Sequence, residues 1–326
     1  MKNRSDQSQR FPSSRITPEQ VYFSRRRFIK SALVTSAGAA FLAACRAAGL
    51  PATGLPTGIP TGTIAIPSGG LTDELGAPLT PEGNVTHYNN FYEFSLGKTE
   101  VAELAQNFIT DPWKVEVGGL VRNPKTYDVD ELVTRFSSED RIYRMRCVEG
   151  WSMVIPWQGF QLSKLLDEVE PMTSARYVHF VSLLDPAQMP GQNDSFFPWP
   201  YEEGLRLDEA SHRLTLLSTG LYGKPLEPQS GAPIRLVVPW KYGYKSIKSI
   251  VRIELVEEQP RMFWNVISPT DYGFYSNVNP NIDYPRFNQT SEIRIGDKNR
   301  YMTSIFNGYG AEVAALYAGM DLEQDF

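Results

Sequence analysis

The chain has 326 residues, of which 41% are hydrophobic, and this length and composition suit one sizeable core or two small ones. The first 44 residues hold eight Lys and Arg against two Asp and Glu, which leaves the remainder with 24 against 35 and a net charge of −11. Because phosphate binding needs a basic surface, this acidic remainder argues against nucleic acid as a partner.

Residues 1–44 have the layout of an export signal. The basic stretch SRRRFIK at 24–30 precedes a charge-free run of small and apolar residues that extends to Ala44. The run is too short to span a bilayer comfortably, and this layout is typical of a secretory signal. The paired arginines followed by Phe28 resemble the twin-arginine address. We therefore predict twin-arginine export to the periplasm or the outer face of the cytoplasmic membrane; the alternative is a basic amphipathic helix on a membrane or partner surface.

The end of this segment, Leu42-Ala43-Ala44-Cys45, resembles a bacterial lipobox, in which Cys45 would be lipidated. The alternative is an ordinary cleavage site with an incidental cysteine. A stretch rich in Pro, Gly and Thr follows, so we predict a flexible tether over 45–85 and a catalytic domain over 86–326. If Cys45 is lipidated, Cys147 has no disulfide partner in the chain, and metal ligation is one way to occupy such a thiol.

Strand and helix patterns in the domain are short and mixed. Residues 113–117 alternate apolar and charged side chains and predict a strand, and Asp128 is expected to cap a short helix. Residues 141–147 alternate again and place Cys147 at a strand end, before a turn over 148–150. The remaining predicted elements are helices at 163–170, 207–210 and 313–317, and strands at 176–184, 214–218, 234–238 and 250–256. Without regular βαβ alternation, this order predicts an α+β fold with a mixed sheet.

Several common kinds of site have no support in the sequence. His87, His179 and His212 lie far apart and none has a cysteine or carboxylate at metal-ligand spacing, which argues against zinc. The sequence contains neither a CxxCH motif for covalent haem nor a glycine-rich nucleotide fingerprint after a strand.

Residues 231–235 and 241–248 form the densest cationic and aromatic stretch after the leader. Glycine permits close backbone approach, Arg235 could grip a phosphate with two hydrogen bonds, and Lys248 could act as a point charge. The stretch therefore indicates a phosphate site, and the alternative is a hairpin with solvated lysines.

Six strings closely resemble the MsrP family of protein-methionine-sulfoxide reductase catalytic subunits. They are YNNFYEF at 88–94, RIYRMRCVE at 141–149, WSMV at 151–154, QMPGQ at 188–192, PWKYG at 239–243 and FNGY at 306–309. The resemblance runs from about residue 86 to the end of the sequence and includes the leader. It implies the sulfite-oxidase-type molybdopterin-binding fold and one molybdenum–molybdopterin cofactor per chain.

The resemblance also implies roles for individual residues. Cys147 would be the catalytic thiolate ligand of molybdenum. The implied cofactor-binding residues are Asn89, Tyr92, Glu93, Ser182, Ser230, Arg235, Ser246, Ile247 and Lys248. Ser182 and Ser230 stand where threonine and asparagine are expected, but each keeps a hydroxyl donor and acceptor. Glu149 is a candidate proton carrier by proximity, and the alternative is a structural carboxylate that binds the adjacent turn.

The activity that the resemblance implies is reduction of methionine sulfoxide residues in oxidised exported proteins. The sequence has no haem motif, flavin fingerprint or set of iron–sulfur cysteines, so a partner must supply the electrons. The resemblance implies that this partner is a membrane haem-containing subunit. Two alternatives stay open. A sulfite dehydrogenase on the same fold is disfavoured, because Cys147 is followed by Val-Glu-Gly-Trp and lacks the arginine of a Cys-x-Gly-Asn-Arg segment. The other alternative is an exported lipoprotein that binds a ligand and catalyses no reaction.

Overall fold

The structure is a computed structural model that describes residues 71–282 and 286–323. The predicted export signal, Cys45 and most of the predicted tether lie outside these residues, so they stay predictions. The described residues belong to one compact unit. Among its helices, none has both the length and the apolar character that a membrane crossing requires.

Two mixed sheets form the framework of the described part. Their strands are β1 (Lys114–Gly119), β2 (Lys125–Asp128), β3 (Glu139–Cys147), β4 (Trp151–Gln161), β5 (Tyr177–Ser182), β6 (Glu202–Arg206), β7 (Leu216–Leu221), β8 (Lys224–Pro225), β9 (Arg235–Val237), β10 (Ile250–Val256), β11 (Ser291–Arg294) and β12 (Arg300–Met302). One sheet has the order β2-β1-β10-β5-β6. The other has the order β12-β11-β4-β7-β8, with β3 paired to β4 and β9 paired to β7.

The sheets confirm the predicted fold class. Strands β1 and β10 pair in parallel, as do β4 and β11, whereas the other pairs are antiparallel. The helices between them are short: α1 (Glu82–Thr86), α2 (Val101–Leu104), α3 (Val129–Arg135), α4 (Leu162–Val169), α5 (Leu207–Ala210), α6 (Phe263–Ile267) and α7 (Gly310–Val313). Mixed sheets without regular βαβ alternation define an α+β architecture.

Local sequence explains where the two predicted helices after β2 and β4 begin. The Asp128 carboxylate accepts a hydrogen bond from the Asp130 N–H at 3.3 Å and caps α3, as the sequence predicts. Helix α4 buries Leu162, Leu165, Leu166 and Val169, which recur at helical spacing and face the core. Both helices therefore form where a cap or an apolar stripe favours them.

The longest strand, β4, is absent from the sequence prediction. It pairs with β3 along one edge and with β7 and β11 along the other. Most of its residues are also buried whichever face they point to, so the sequence shows no alternation. Pro156 inside it is also atypical of a central strand. At Gly159 a Cβ would lie 2.1 Å from the Leu217 carbonyl oxygen, so only glycine allows this approach to β7.

A buried ion pair joins the first described residues to β3. Arg144 Nη1 lies 3.0 Å from Asp73 Oδ2, and both side chains are almost fully buried. Further along, the Thr80 N–H donates to the Val154 carbonyl at 2.9 Å. Residues 71–85, which composition assigned to the tether, thus pack against the domain, and the folded part includes them.

We expect Arg144→Met to lower the free energy of unfolding by about 3 kcal/mol, because it leaves the Asp73 carboxylate buried without its cation. Urea denaturation of variant and wild type in the same cofactor state measures this loss. The matched control is Arg122→Met, which removes an ion pair with Glu170 whose side chains are 69% and 58% exposed, and should cost less than about 1 kcal/mol. Equal losses in the two variants would contradict the assignment.

Candidate active site

Cys147 is the last residue of β3 and lies opposite Trp151, the first residue of β4. A tight turn joins the two strands: the Gly150 N–H donates to the Cys147 carbonyl at 3.0 Å. Gly150 has a φ of 88°, a left-handed conformation that glycine adopts without strain. The turn holds the thiol at the sheet end, where it is 7% exposed.

Arg146 supports this strand end from the opposite face of β3. Its guanidinium is fully buried, with Nε 2.8 Å from Glu292 Oε2 and Nη2 3.3 Å from Thr303 Oγ1. Nη1 donates to the Cys147 carbonyl. The alternation of β3 thus places Cys147 and Arg146 on opposite faces, as predicted, and the arginine fixes the backbone that carries the thiol.

A hydrogen-bonded group of polar side chains surrounds the thiol. Asn90 Nδ2 lies 3.5 Å from Cys147 Sγ and 3.4 Å from Glu149 Oε2. The same Glu149 oxygen accepts a hydrogen bond from Trp151 Nε1 at 3.0 Å and lies 3.0 Å from Lys98 Nζ. Three donors thus hold the Glu149 carboxylate in place, which supports the structural interpretation of this residue.

Burial and the neighbouring Glu149 carboxylate raise the pKa of the Cys147 thiol to about 12. At neutral pH the thiol therefore keeps its proton unless a cation binds the sulfur. Since metal ligation requires the thiolate, a metal at this position would displace the proton. The site thus suits a bound metal better than a free nucleophile.

Aromatic rings enclose the same pocket. Tyr88 packs edge-on against Trp151 at 5.3 Å, and Tyr92 and Tyr272 contact Trp264 at 5.1 and 5.2 Å. Burial raises the pKa of Tyr88 and Tyr272 to about 12, and the Glu149 carboxylate adds to the shift of Tyr88. These phenols therefore stay neutral and can donate hydrogen bonds from an apolar wall.

The buried Glu93 and the half-buried Lys248 form a second polar group. Desolvation raises the pKa of Glu93 and lowers the pKa of Lys248, while each charge partly offsets the shift of the other. Ser182 Oγ donates to Glu93 Oε1 at 3.4 Å, and Lys248 Nζ donates to the Asn90 carbonyl at 2.8 Å. Lys248 thereby connects this group to the loop that contacts Cys147.

Arg235 is a buried cation in a third group. Its guanidinium donates to the Ser230 carbonyl at 2.8 Å and to the Ser246 carbonyl at 3.1 Å. In the part of the chain that the structure describes, this guanidinium has no carboxylate within ion-pair distance, and desolvation lowers the pKa of Arg235 to about 10. A buried cation that only carbonyls compensate is an attractive position for an anion.

The residues present fit a polar, anionic cofactor. Ser230 Oγ, Asn89 Oδ1 and Asn90 Oδ1 are buried and find no hydrogen-bond partner among the described residues, so a bound group could satisfy them. Gly231 has a φ of 97°, and a Cβ there would lie 2.7 Å from Lys248 Cγ. A phosphate between Arg235 and Lys248 would compensate both cations. Across residues 71–282 and 286–323, no cluster of three His, Cys, Asp or Glu could hold a metal by itself.

The structure brings most of the predicted site residues together. Cys147 lies beside the loop that carries Asn89, Tyr92 and Glu93, and Lys248 contacts that loop. Ser182 contacts Glu93, and Arg235 joins Ser230 and Ser246. Ile247 is buried, and its carbonyl accepts from the Leu236 N–H at 2.9 Å, so this residue contributes backbone and packing. Their roles toward a cofactor stay predictions.

Three site residues are missing from the sequence prediction: Asn90, Lys98 and Arg146. Asn90 directly follows the predicted cofactor residue Asn89 in the same string, and this position could have identified it as a site residue. Lys98 gives no such signal, because its contact with Glu149 spans 51 positions in the sequence. The alternation over residues 141–147 places Arg146 on the face opposite to Cys147, but its contact with the Cys147 carbonyl requires the folded geometry.

Comparison with known proteins agrees with this geometry. The family model described as "Oxidoreductase molybdopterin binding domain" matches residues 102–264. Two relatives are each a "Protein-methionine-sulfoxide reductase catalytic subunit MsrP". The one from Ralstonia nicotianae is 50% identical over 97% of this chain and 96% of the relative. The one from Burkholderia mallei is 48% identical over 97% of this chain and 95% of the relative.

Among solved structures, the sulfane dehydrogenase SoxCD from Paracoccus pantotrophus is similar with a TM-score of 0.39 and 17% identity, over 47% of this chain and 40% of that chain. The two relatives match nearly the whole chain at about 50% sequence identity, and this similarity establishes the family. The chain belongs to the MsrP family of oxidoreductases, with a molybdopterin-binding domain.

Proposed function

We propose that this chain reduces methionine sulfoxide residues in oxidised exported proteins, with molybdenum of a molybdopterin cofactor bound to Cys147. The observation that carries the proposal is the full-length similarity to two reductase catalytic subunits of this name, at 50% and 48% identity. The buried thiol beside a polar cofactor cleft and an aromatic pocket supports the same reaction class.

When bound, the molybdopterin cofactor supplies two-electron oxygen-atom transfer at sulfur. The chain's own residues bind and orient this group. Cys147 would hold the metal, Arg235 and Lys248 would hold the phosphate, and Asn89 and Ser230 would complete hydrogen bonds that are unsatisfied in the protein alone. Arg146 fixes the Cys147 backbone, so the sulfur stays at one position during turnover.

The neutral tyrosines suit a sulfoxide substrate. A sulfoxide oxygen carries partial negative charge and accepts hydrogen bonds, whereas the methionine methyl and methylene groups are apolar. Tyr88 and Tyr272 have raised pKa values and can donate from an aromatic wall, and Trp264 supplies ring surface for the sulfur and its methyl group. The pocket therefore offers both kinds of contact.

The proposal includes an electron donor outside the chain. The sequence has two cysteines, whereas an iron–sulfur cluster needs more ligands than these, and it has no CxxCH motif. We propose a membrane haem-containing subunit as this donor. Export by the twin-arginine route and lipidation of Cys45 rest on the leader pattern, and mass spectrometry of the mature N-terminus tests both.

We expect Cys147→Ser to lower methionine sulfoxide reduction by at least about 1,000-fold while the chain stays folded, since a hydroxyl is a poor ligand where a thiolate is required. The assay uses a reduced viologen dye as donor and both free and protein-bound methionine sulfoxide as substrates. Far-ultraviolet circular dichroism verifies the fold. Retained turnover in the Cys147→Ser variant would refute Cys147 as the metal ligand. Sulfite oxidation without sulfoxide reduction by the wild-type enzyme would favour a sulfite dehydrogenase.

Arg235→Met should lower the molybdenum and pterin content of the purified protein at least about tenfold, because it removes the charge that would bind the phosphate. Metal analysis by mass spectrometry and pterin fluorescence measure the two contents. The exposed Arg122→Met is the matched control and should retain wild-type cofactor content. A fully loaded Arg235→Met protein would show that the phosphate lies elsewhere.

A further inference from the structure

The methionines of the chain differ strongly in exposure. Seven of the eight lie within the described residues. Met153, Met189 and Met262 are buried, whereas Met172 is 41% exposed and Met302 is 79% exposed. Oxidants reach a thioether in proportion to its access to solvent, so Met302 is the most oxidisable of the seven described methionines.

Donors also contact the sulfur atoms of several less exposed methionines. Gln192 Nε2 lies 3.4 Å from Met189 Sδ, and Lys245 Nζ lies 2.8 Å from Met262 Sδ. These contacts direct a donor at the electron pair that an oxidant must reach. Among the described residues, Met302 Sδ has no such contact, and its lone pairs face solvent.

The place of Met302 in the fold makes its oxidation harmless to the core. Met302 ends β12, which is the last strand of its sheet and pairs only with β11 among the described strands. A sulfoxide at Met302 would add a polar oxygen to a side chain that is already exposed, so no polar group would be buried in the core. The oxidised chain should therefore stay folded and active.

Met302 also lies in an extended, accessible segment of the kind that a reductase must bind. Its backbone has β conformation at a sheet edge, and the residues two positions away on either side, Arg300 and Ser304, are exposed like Met302 itself. A partner pocket can approach such an edge without unfolding the chain.

The active site around Cys147 cannot reduce a sulfoxide at Met302 of the same chain. Strands β11 and β4 lie between β12 and β3, so three strand spacings, roughly 14 Å, separate Met302 from the strand that ends at Cys147. The register of Met302 with Ser291 of β11 fixes its position. Reaching Cys147 of the same chain would require β12 to leave the sheet, so only a second copy can reach Met302.

We propose that Met302 is an oxidation site of this protein and that a second copy of the enzyme reduces its sulfoxide. The reduction half of this proposal rests on the proposed function. Oxidation transfers one oxygen atom from a peroxide to sulfur: thioether and hydrogen peroxide give sulfoxide and water. Reduction consumes two electrons and two protons, breaks the sulfur–oxygen bond and releases water, with a reduced viologen dye as electron source.

The experiment uses an isotopically labelled Cys147→Ser chain as substrate, because it lacks its own reductase activity. After limited hydrogen peroxide treatment and desalting, peptide mass spectrometry measures sulfoxide at each methionine. We expect Met302 to be oxidised about tenfold faster than buried Met189, which serves as the internal control. Unlabelled wild-type holoenzyme and reduced dye are then added, and the Met302 sulfoxide should disappear at a rate proportional to the enzyme concentration.

Two further preparations keep the test decisive. If Cys147→Ser does not fold, labelled and oxidised wild-type holoenzyme takes its place, with the unlabelled enzyme in excess. Met302→Leu should lose the fast-oxidising site and keep wild-type turnover of free methionine sulfoxide.

Each outcome has a stated meaning. Equal oxidation at Met302 and Met189 would overturn the oxidation site. Persistence of the Met302 sulfoxide while the same mixture reduces free methionine sulfoxide would overturn repair by a second copy and leave the proposed function intact. Failure to reduce either substrate would instead overturn the proposed function and, with it, the repair.

Discussion

The buried Arg235 guanidinium is the constraint on which the cofactor cleft depends. A cation removed from water costs several kcal/mol unless an opposite charge compensates it. Within the described part of the chain, the contacts of this guanidinium are backbone carbonyls and the Trp157 ring. An anionic group bound at this position would remove much of that cost. Cofactor binding and stability of the surrounding β9 and Ser230 region should therefore be coupled.

The two-residue period of β3 separates the chemistry of the site from its support. Cys147 faces the cleft with Asn90, while Arg146 and Arg144 extend to the other face and form buried ion pairs with Glu292 and Asp73. Those pairs bind the strand to residues from both ends of the described chain. A thiol at the end of such a strand has little freedom to move, as metal ligation requires.

Sequence patterns predicted the elements whose residues alternate or cap locally, and missed those defined by their neighbours. Strand β10 has the predicted bounds and α3 has its predicted cap, because a few adjacent residues determine both. Strand β4 has no alternating pattern, since residues on both of its faces are buried. Likewise, Cys147 was predicted by its string, whereas the Lys98–Glu149 contact exists only after distant segments fold together.

The depth of the site bears on the order of maturation. Cys147, Glu93 and Arg235 are all buried, so a group that contacts all three must enter while the cleft is open or help to close it. Insertion before the chain reaches its final compartment would meet that requirement, because the cofactor would then be enclosed by the completed fold. The proposed twin-arginine export would suit this order, because that route carries a folded chain. Export of an unfolded chain would instead place insertion after transport.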